Sequence, residues 1–306
     1  MFEIMFNSIA PIFIIVGLAA LFARQFDPDP RALSGVVLYL FIPFLVFNGI
    51  AGTEVSGEEV LQIGAMAFGV AIIMVGIGMG IERALGLDKR VGSALILTLL
   101  LVNAANYGIP LNTFAFGGDD ATLAMRAEER ALIYYVASVI VSNTLGIYFA
   151  SRGTVSTREA LLNIVRVPLI YAAIAGFIVN VGDITLPVAL ERPFGLLEAA
   201  AIPGMLALLG IQLARASIGS RIGLIALTSG VKLVVGPVVA IGLATLLGLE
   251  GMTRDVSIVQ SSMPTAVIAG VFATQFRADS EFVTSVILVS TLASIVTLSV
   301  LLSVLI

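Results

Sequence analysis

The chain alternates long apolar runs with short polar connections. Runs able to cross about 30 Å of hydrocarbon, at about 20 residues each, lie at roughly 3 to 24, 32 to 53, 60 to 82, 91 to 117 and 130 to 151. Five more lie at roughly 158 to 181, 193 to 215, 221 to 247, 253 to 275 and 281 to 306, so the pattern predicts an all-α membrane protein of ten transmembrane helices. The first run has an acidic leader and is longer than a signal peptide's apolar stretch, so it is read as a span. Two runs carry a central proline: Pro110 in VNAANYGIPLNTF and Pro264 in VSIVQSSMPTAVI, 154 residues apart in a chain of 306. A proline removes a backbone donor and crowds the preceding turn, and hydrocarbon offers no water to the freed carbonyl. Both spans are therefore expected to be interrupted and to line a polar cavity near the membrane midplane.

Polar residues gather at both prolines. Asn103, Asn106, Tyr107 and Asn112 surround the first; Ser257, Gln260, Ser261, Ser262 and Thr265 surround the second. Amides and hydroxyls are costly in a bilayer core unless paired. One reading is that they only mend broken backbone and join helices. The other is a binding site, in which half-helices begin at the membrane centre with their positive ends facing an anion, and unwound carbonyls hold a cation. Lys232, in SGVKLVVGP, is the one basic residue well inside a span. Insertion of Lys at that depth costs about 2.5–3.5 kcal/mol, so it needs a partner. It either offsets an anionic substrate, stands where a transported cation would sit, or bonds carbonyls of a neighbouring broken helix. Glu198 and Glu82 are read as interfacial, and Gly76, Gly78 and Gly80 as a close-packing stripe rather than a nucleotide loop.

Composition narrows the chemistry. The chain is 59% hydrophobic and 12% charged, with a net charge of −4 and neither Cys nor His. That excludes disulfides, thiol nucleophiles, His bases and His-based metal sites. Odd-numbered connections hold 11 Lys and Arg against four in the even ones, Arg126, Arg130, Arg192 and Arg254. The positive-inside rule then sets the odd connections in the cytoplasm and both termini outside a cell membrane. Five spans in each half, 1-151 and 152-306, make the second repeat inverted relative to the first. Ile42-Pro43 answers Ile202-Pro203, and Pro11 roughly answers Pro168. No soluble domain is visible, and nothing points to nucleic acid.

The run Asn103 to Leu111, ending Gly108-Ile109-Pro110-Leu111, resembles the first broken helix of the auxin efflux carrier family. This family contains the plant PIN-type carriers and belongs to the bile/arsenite/riboflavin transporter superfamily. Closer still are Lys232-Leu233-Val234-Val235-Gly236-Pro237, Gly248-Leu249-Glu250-Gly251, and Ile258-Val259-Gln260 with Pro264. The resemblance covers all ten spans. It implies a 5+5 inverted repeat like that of sodium/proton antiporters and bile acid/sodium symporters, with a scaffold of spans 1, 2, 6 and 7. Spans 3 to 5 and 8 to 10 would form a transport domain whose two broken helices cross at Pro110 and Pro264. It further implies a homodimer that moves small organic anions by an elevator-like shift. Asn103 and Gln260 would contact or orient the substrate, with Asn48 facing them from the scaffold. The connection from Arg152 to Thr157 is much shorter than the regulatory loop of plant members, and auxin is not the cargo expected of a microbial-type member.

Three functions follow. The first is export of a small, partly apolar, auxin-like monocarboxylate, with substrate contacts from Asn48, Asn103, Asn106, Tyr107, Pro110, Lys232, Gln260, Ser261 and Pro264 and no cofactor. The second is sodium-coupled import of an organic anion, with Na⁺ held by Asn106, Gln260 and carbonyls beside the breaks. The third, an intramembrane enzyme, has only a serine-lysine pair to work with, Lys232 and a Ser near Pro264.

Overall fold

A computed structural model describes residues 5–151 and 167–306, and these are helical throughout, with no sheet. Helices α1 (Met5–Phe26), α2 (Pro30–Ala51) and α3 (Gly57–Leu85) come first. They are followed by α4 (Lys89–Leu100), α5 (Ile109–Gly117) and α6 (Ala121–Ala150). Beyond the undescribed stretch lie α7 (Pro168–Val181), α8 (Val188–Ala214) and α9 (Ile222–Leu246). The chain closes with α10 (Gly251–Ser261), α11 (Ile268–Gln275) and α12 (Ser280–Leu305). Among the described residues, seven of these are long and apolar enough to cross a membrane: α1, α2, α3, α6, α8, α9 and α12. The expected start of the sixth span, the connection 152 to 157 with Arg152, Arg158 and Arg166, and the boundary between the two halves lie outside the described residues.

Side chains in the connections set where helices begin. Ser56 and Glu59 close a reciprocal cap on α3, with Glu59 N donating to Ser56 Oγ and Ser56 N to Glu59 Oε2. Asp88 accepts from the Arg90 and Val91 amides at the start of α4, and these amides hold its carboxyl below the usual carboxylate range. Asp120 accepts from the Thr122 and Leu123 amides. That cap starts α6 nine residues before the expected 130. Arg126, Glu128, Glu129 and Arg130, read as a connection, therefore stand on the helix itself.

Four prolines do not stop a helix; they widen it. Wide π turns at Met5–Ile9, Val37–Phe41, Ala104–Gly108 and Val231–Val235 each precede a proline by two residues: Pro11, Pro43, Pro110 and Pro237. A proline cannot bond back to residue i−4 and pushes that carbonyl away, and one extra residue in the turn absorbs the clash. The first interruption is consequently not at Pro110, where it was expected. It lies at Leu101–Asn103, between α4 and the turn that leads into α5. The second spans Ser262–Val267 and does contain Pro264.

Helix α8 lies along α1, and α7 and the start of α8 pack on α2; the remaining helices pack chiefly on one another. Backbone approaches backbone where side chains are absent. A Cβ on Gly210 would strike the Val16 carbonyl, and one on Gly176 the Phe47 carbonyl. In lipid such close packing holds helices together, because water exclusion contributes nothing there. A compact apolar cluster joins α2 and α8 to α5 and α6 through Leu45, Val46, Ile109, Ala131, Ala201 and Met205.

Candidate functional site

The two interruptions lie against each other. Asn103 N donates to Pro264 O at 2.9 Å and Ala266 N to Leu101 O at 3.0 Å, an antiparallel bridge centred on Val102 and Thr265. A helix end leaves four carbonyls without helical partners, and those of α4 are taken up from several directions. Leu97 O accepts from Leu101 N at 3.0 Å, Thr98 O from Thr265 Oγ1 at 2.9 Å, and Leu99 O from Lys232 Nζ at 2.7 Å. Thr265 N in turn donates to Ser290 Oγ of α12 at 3.3 Å. The hydroxyls beside Pro264 serve their own helix: Ser262 Oγ donates to Ile258 O at 2.7 Å and Ser261 Oγ to Ser257 O at 2.8 Å. Ser261 Oγ, its one proton spent there, accepts from Tyr134 Oη at 2.9 Å.

The amides behave differently. Asn103, Asn106, Asn112 and Gln260 are all buried, and Gln260 is 0% exposed. Gln260 Nε2 donates to Ala131 O at 3.2 Å and Asn112 Nδ2 to Gly108 O at 2.7 Å. Asn103 Nδ2, Asn106 Oδ1, Asn112 Oδ1, Gln260 Oε1 and Ser257 Oγ have no hydrogen-bond partner. Leaving such a group unmade costs about 1–3 kcal/mol. The Gln260 side chain packs on Gly108, where a Cβ would collide with Gln260 Oε1 and crowd the Asn103 carbonyl. Tyr107 is buried beneath α1, its ring edge-on to Phe13 at 5.6 Å.

Of the residues singled out in the sequence, Asn103, Pro264 and Lys232 are joined by the bridge and the α4 carbonyls, and Gln260 joins them through Gly108. Asn106, Tyr107 and Pro110 follow on the adjoining π turn and α5, and Ser261 on α10. Asn48 is elsewhere. Its Nδ2 donates to Glu198 Oε2 at 2.6 Å, and both line a cleft of about 930 Å³ with Glu191, Arg192 and Leu196. Glu128 was overlooked. It accepts from Thr113 Oγ1 of α5 at 3.2 Å and lies within electrostatic reach of Glu198. Arg130 donates to Glu59 Oε1 at 2.9 Å and to Thr253 Oγ1 at 2.7 Å, and Thr253 donates to Glu59, so that α3, α6 and α10 are tied together. The Asp120 cap was the available signal for both. A second cleft, about 480 Å³, is lined by Arg31, Gln212, Thr274, Gln275 and Val267, the last at the edge of the second interruption.

The sequence profile of a family described as "Membrane transport protein" matches residues 4–153 and again 152–302. The chain belongs to this auxin efflux carrier-like family of membrane transporters. A protein of Methanothermobacter thermautotrophicus is 25% identical over 273 residues, covering 89% of this chain and 88% of its own. One of Methanocaldococcus jannaschii is 25% identical over 305 residues, covering 94% and 95%. Both are described as uncharacterized transporters. The chain is thus a multi-pass membrane transporter.

Proposed function

We propose that this transporter is a secondary carrier of a small organic anion and exports it by an elevator-type alternating-access movement. The observation that carries the reading is the cluster of buried, unpartnered amide groups beside two interrupted segments that bond to each other. Asn103 Nδ2 is a donor suited to a carboxylate oxygen. Asn106 Oδ1, Asn112 Oδ1 and Gln260 Oε1 are acceptors, which calls for a cargo that also carries an N–H or O–H group.

In this reading α4 with α5, and α10 with α11, are single broken spans that cross at the membrane midplane, and α7 completes a set of ten in two inverted halves. Helices α1, α2, α7 and α8 form the scaffold, and the others move against it. The cleft at Arg31 opens on the side where Lys and Arg concentrate, the cytoplasmic side by the positive-inside rule. It reaches Val267 at the edge of the second interruption and in this reading is the cytoplasmic entrance, with the apolar cluster around Leu45, Ala131 and Met205 as the barrier to the other side. A cell's inside-negative potential drives an anion outward by about 2.3 kcal/mol per charge per 100 mV, so export needs no coupled ion.

A second reading, sodium-coupled import, draws on the same three amide oxygens, which are sound ligands for a hard cation. Thermal unfolding of the purified protein against a panel of carboxylates with and without a donor group tests the proposal. Saturable stabilisation by donor-bearing carboxylates, followed by their efflux from proteoliposomes, is expected. Stabilisation by none of them refutes the anion reading, and uptake that requires a sodium gradient favours the second.

A further inference from the structure

The two clefts differ in the sign of the charge that lines them. The cleft of about 930 Å³ beside Asn48 sets Glu191 and Glu198 against Arg192. The cleft of about 480 Å³ has one charged residue among its described lining residues, Arg31, with Gln212, Thr274, Gln275 and Thr284 as its polar remainder. No carboxylate among the described residues answers that guanidinium, whereas Arg126, Arg130, Arg215, Arg221 and Arg254 each have an ion pair. Asp29, two residues earlier, caps α2 instead and accepts from the Arg31 amide at 2.9 Å. The other polar groups add acceptors. Gln212 Oε1 is buried without a partner. Thr274 Oγ1 and Thr284 Oγ1 donate to Gly270 O at 3.0 Å and Ser280 O at 2.8 Å, which leaves their lone pairs free. An arginine fork holds a carboxylate through two parallel bonds, and the oxygens suit an N–H or O–H group on the same molecule. Leu213, Val271 and Ile287 supply apolar wall, which focuses the field of the single cation into the cleft.

We propose that this cleft is an anion-binding site that receives the cargo ahead of the amides at the interruptions, with Arg31 taking the carboxylate of a small, partly apolar organic acid. Arg31 and Gln212 stand on α2 and α8, Thr274 and Gln275 on α11, and Thr284 on α12, so a molecule held here touches the elements read as scaffold and those read as moving against it. The proposal deepens the reading of the transport site given above. Its test reads binding and charge selection in the cleft without measuring transport, so the two can fail separately.

The chain has no Cys, and Thr274→Cys therefore puts a sole thiol in the cleft. In full-length protein in detergent, its modification by a sulfonate-bearing and by a trimethylammonium-bearing methanethiosulfonate is compared, each rate divided by that with free 2-mercaptoethanol. The sulfonate reagent is expected to be favoured about tenfold, as field focusing by one cation in a low-dielectric cleft allows. Adding Arg31→Gln should bring the ratio near one, and Arg31→Lys should keep most of the preference. Millimolar benzoate should slow modification severalfold with Arg31 or Lys at that position and not with Gln, while neutral benzamide, of the same shape, should not slow it. A thiol modified by neither reagent, a ratio near one in the presence of Arg31, a ratio unchanged by Arg31→Gln, or equal protection by benzoate and benzamide would overturn the proposal. If Arg31-dependent selection and protection hold while no carboxylate leaves proteoliposomes, the cleft stands as an anion site and the export reading alone falls.

Discussion

Of the two interruptions, one is furnished with amides and the other with hydroxyls, and their hydrogen bonds divide the labour. Beside Pro264, Ser261 and Ser262 turn back to carbonyls of their own helix and Thr265 reaches the end of α4. These groups mend backbone. Beside Leu101–Asn103, the backbone is closed by the bridge to Pro264 and Ala266, and the Asn103, Asn106 and Asn112 side chains keep unpartnered atoms. Gln260 and Ser257 are the exceptions on the second side, and the free oxygen of Gln260 points toward Gly108 of the first. Polar residues inside a membrane therefore need sorting by whether their bonds are already made.

The largest effect is expected where the Gln260 side chain meets Gly108. Gly108→Val drives a side chain into Gln260 Oε1 and the Asn103 carbonyl, and should abolish transport in proteoliposomes while lowering the unfolding temperature. Transport at near wild-type rate would mean that the Gln260 amide need not sit against Gly108. Next comes Asn103→Ala, which removes an amide nitrogen that holds no bond in the resting protein. Transport should fall more than tenfold with little change in thermal stability, because no internal hydrogen bond is lost. A stability loss without a transport loss would make Asn103 another mending residue. Ser261→Ala and Ser262→Ala should show the reverse. Each is expected to cost about 0.5–1.5 kcal/mol in stability per hydrogen bond lost, one for Ser262 and two for Ser261, and to leave transport within twofold. A tenfold transport loss in either would erase the distinction between the two sides.

The amide and hydroxyl clusters were visible in the sequence because apolar surroundings make every polar residue conspicuous. The long apolar segments were visible for the same reason. The position of the first break was not, since Pro110 displaces its clash into a wide turn and the chain becomes extended eight residues earlier, at Val102. The nature of the α6 entry was hidden too. Arg126 to Arg130 looks like a loop until Thr53 of the α2–α3 connection, Glu59 of α3, Thr113 of α5 and Thr253 of α10 are seen to pair with those charges. Pairings between distant residues leave no trace in local pattern. Asn48 shows the same limit from the other side, since only the fold reveals that its partner is Glu198.

The wide turns ahead of Pro11, Pro43, Pro110 and Pro237 act on direction as well as on local bonding. Each winds one more residue into the coil than an ordinary turn, and a single residue corresponds to about 100° of rotation about the axis. Everything on the far side of such a turn is swung round by that angle relative to an unmodified helix. The span holding Lys232 carries the lysine within its wide turn, and the ammonium there meets the Leu99 carbonyl. Replacing Pro237 so that the coil tightens would point the same lysine at a different neighbour without altering a single residue that touches it.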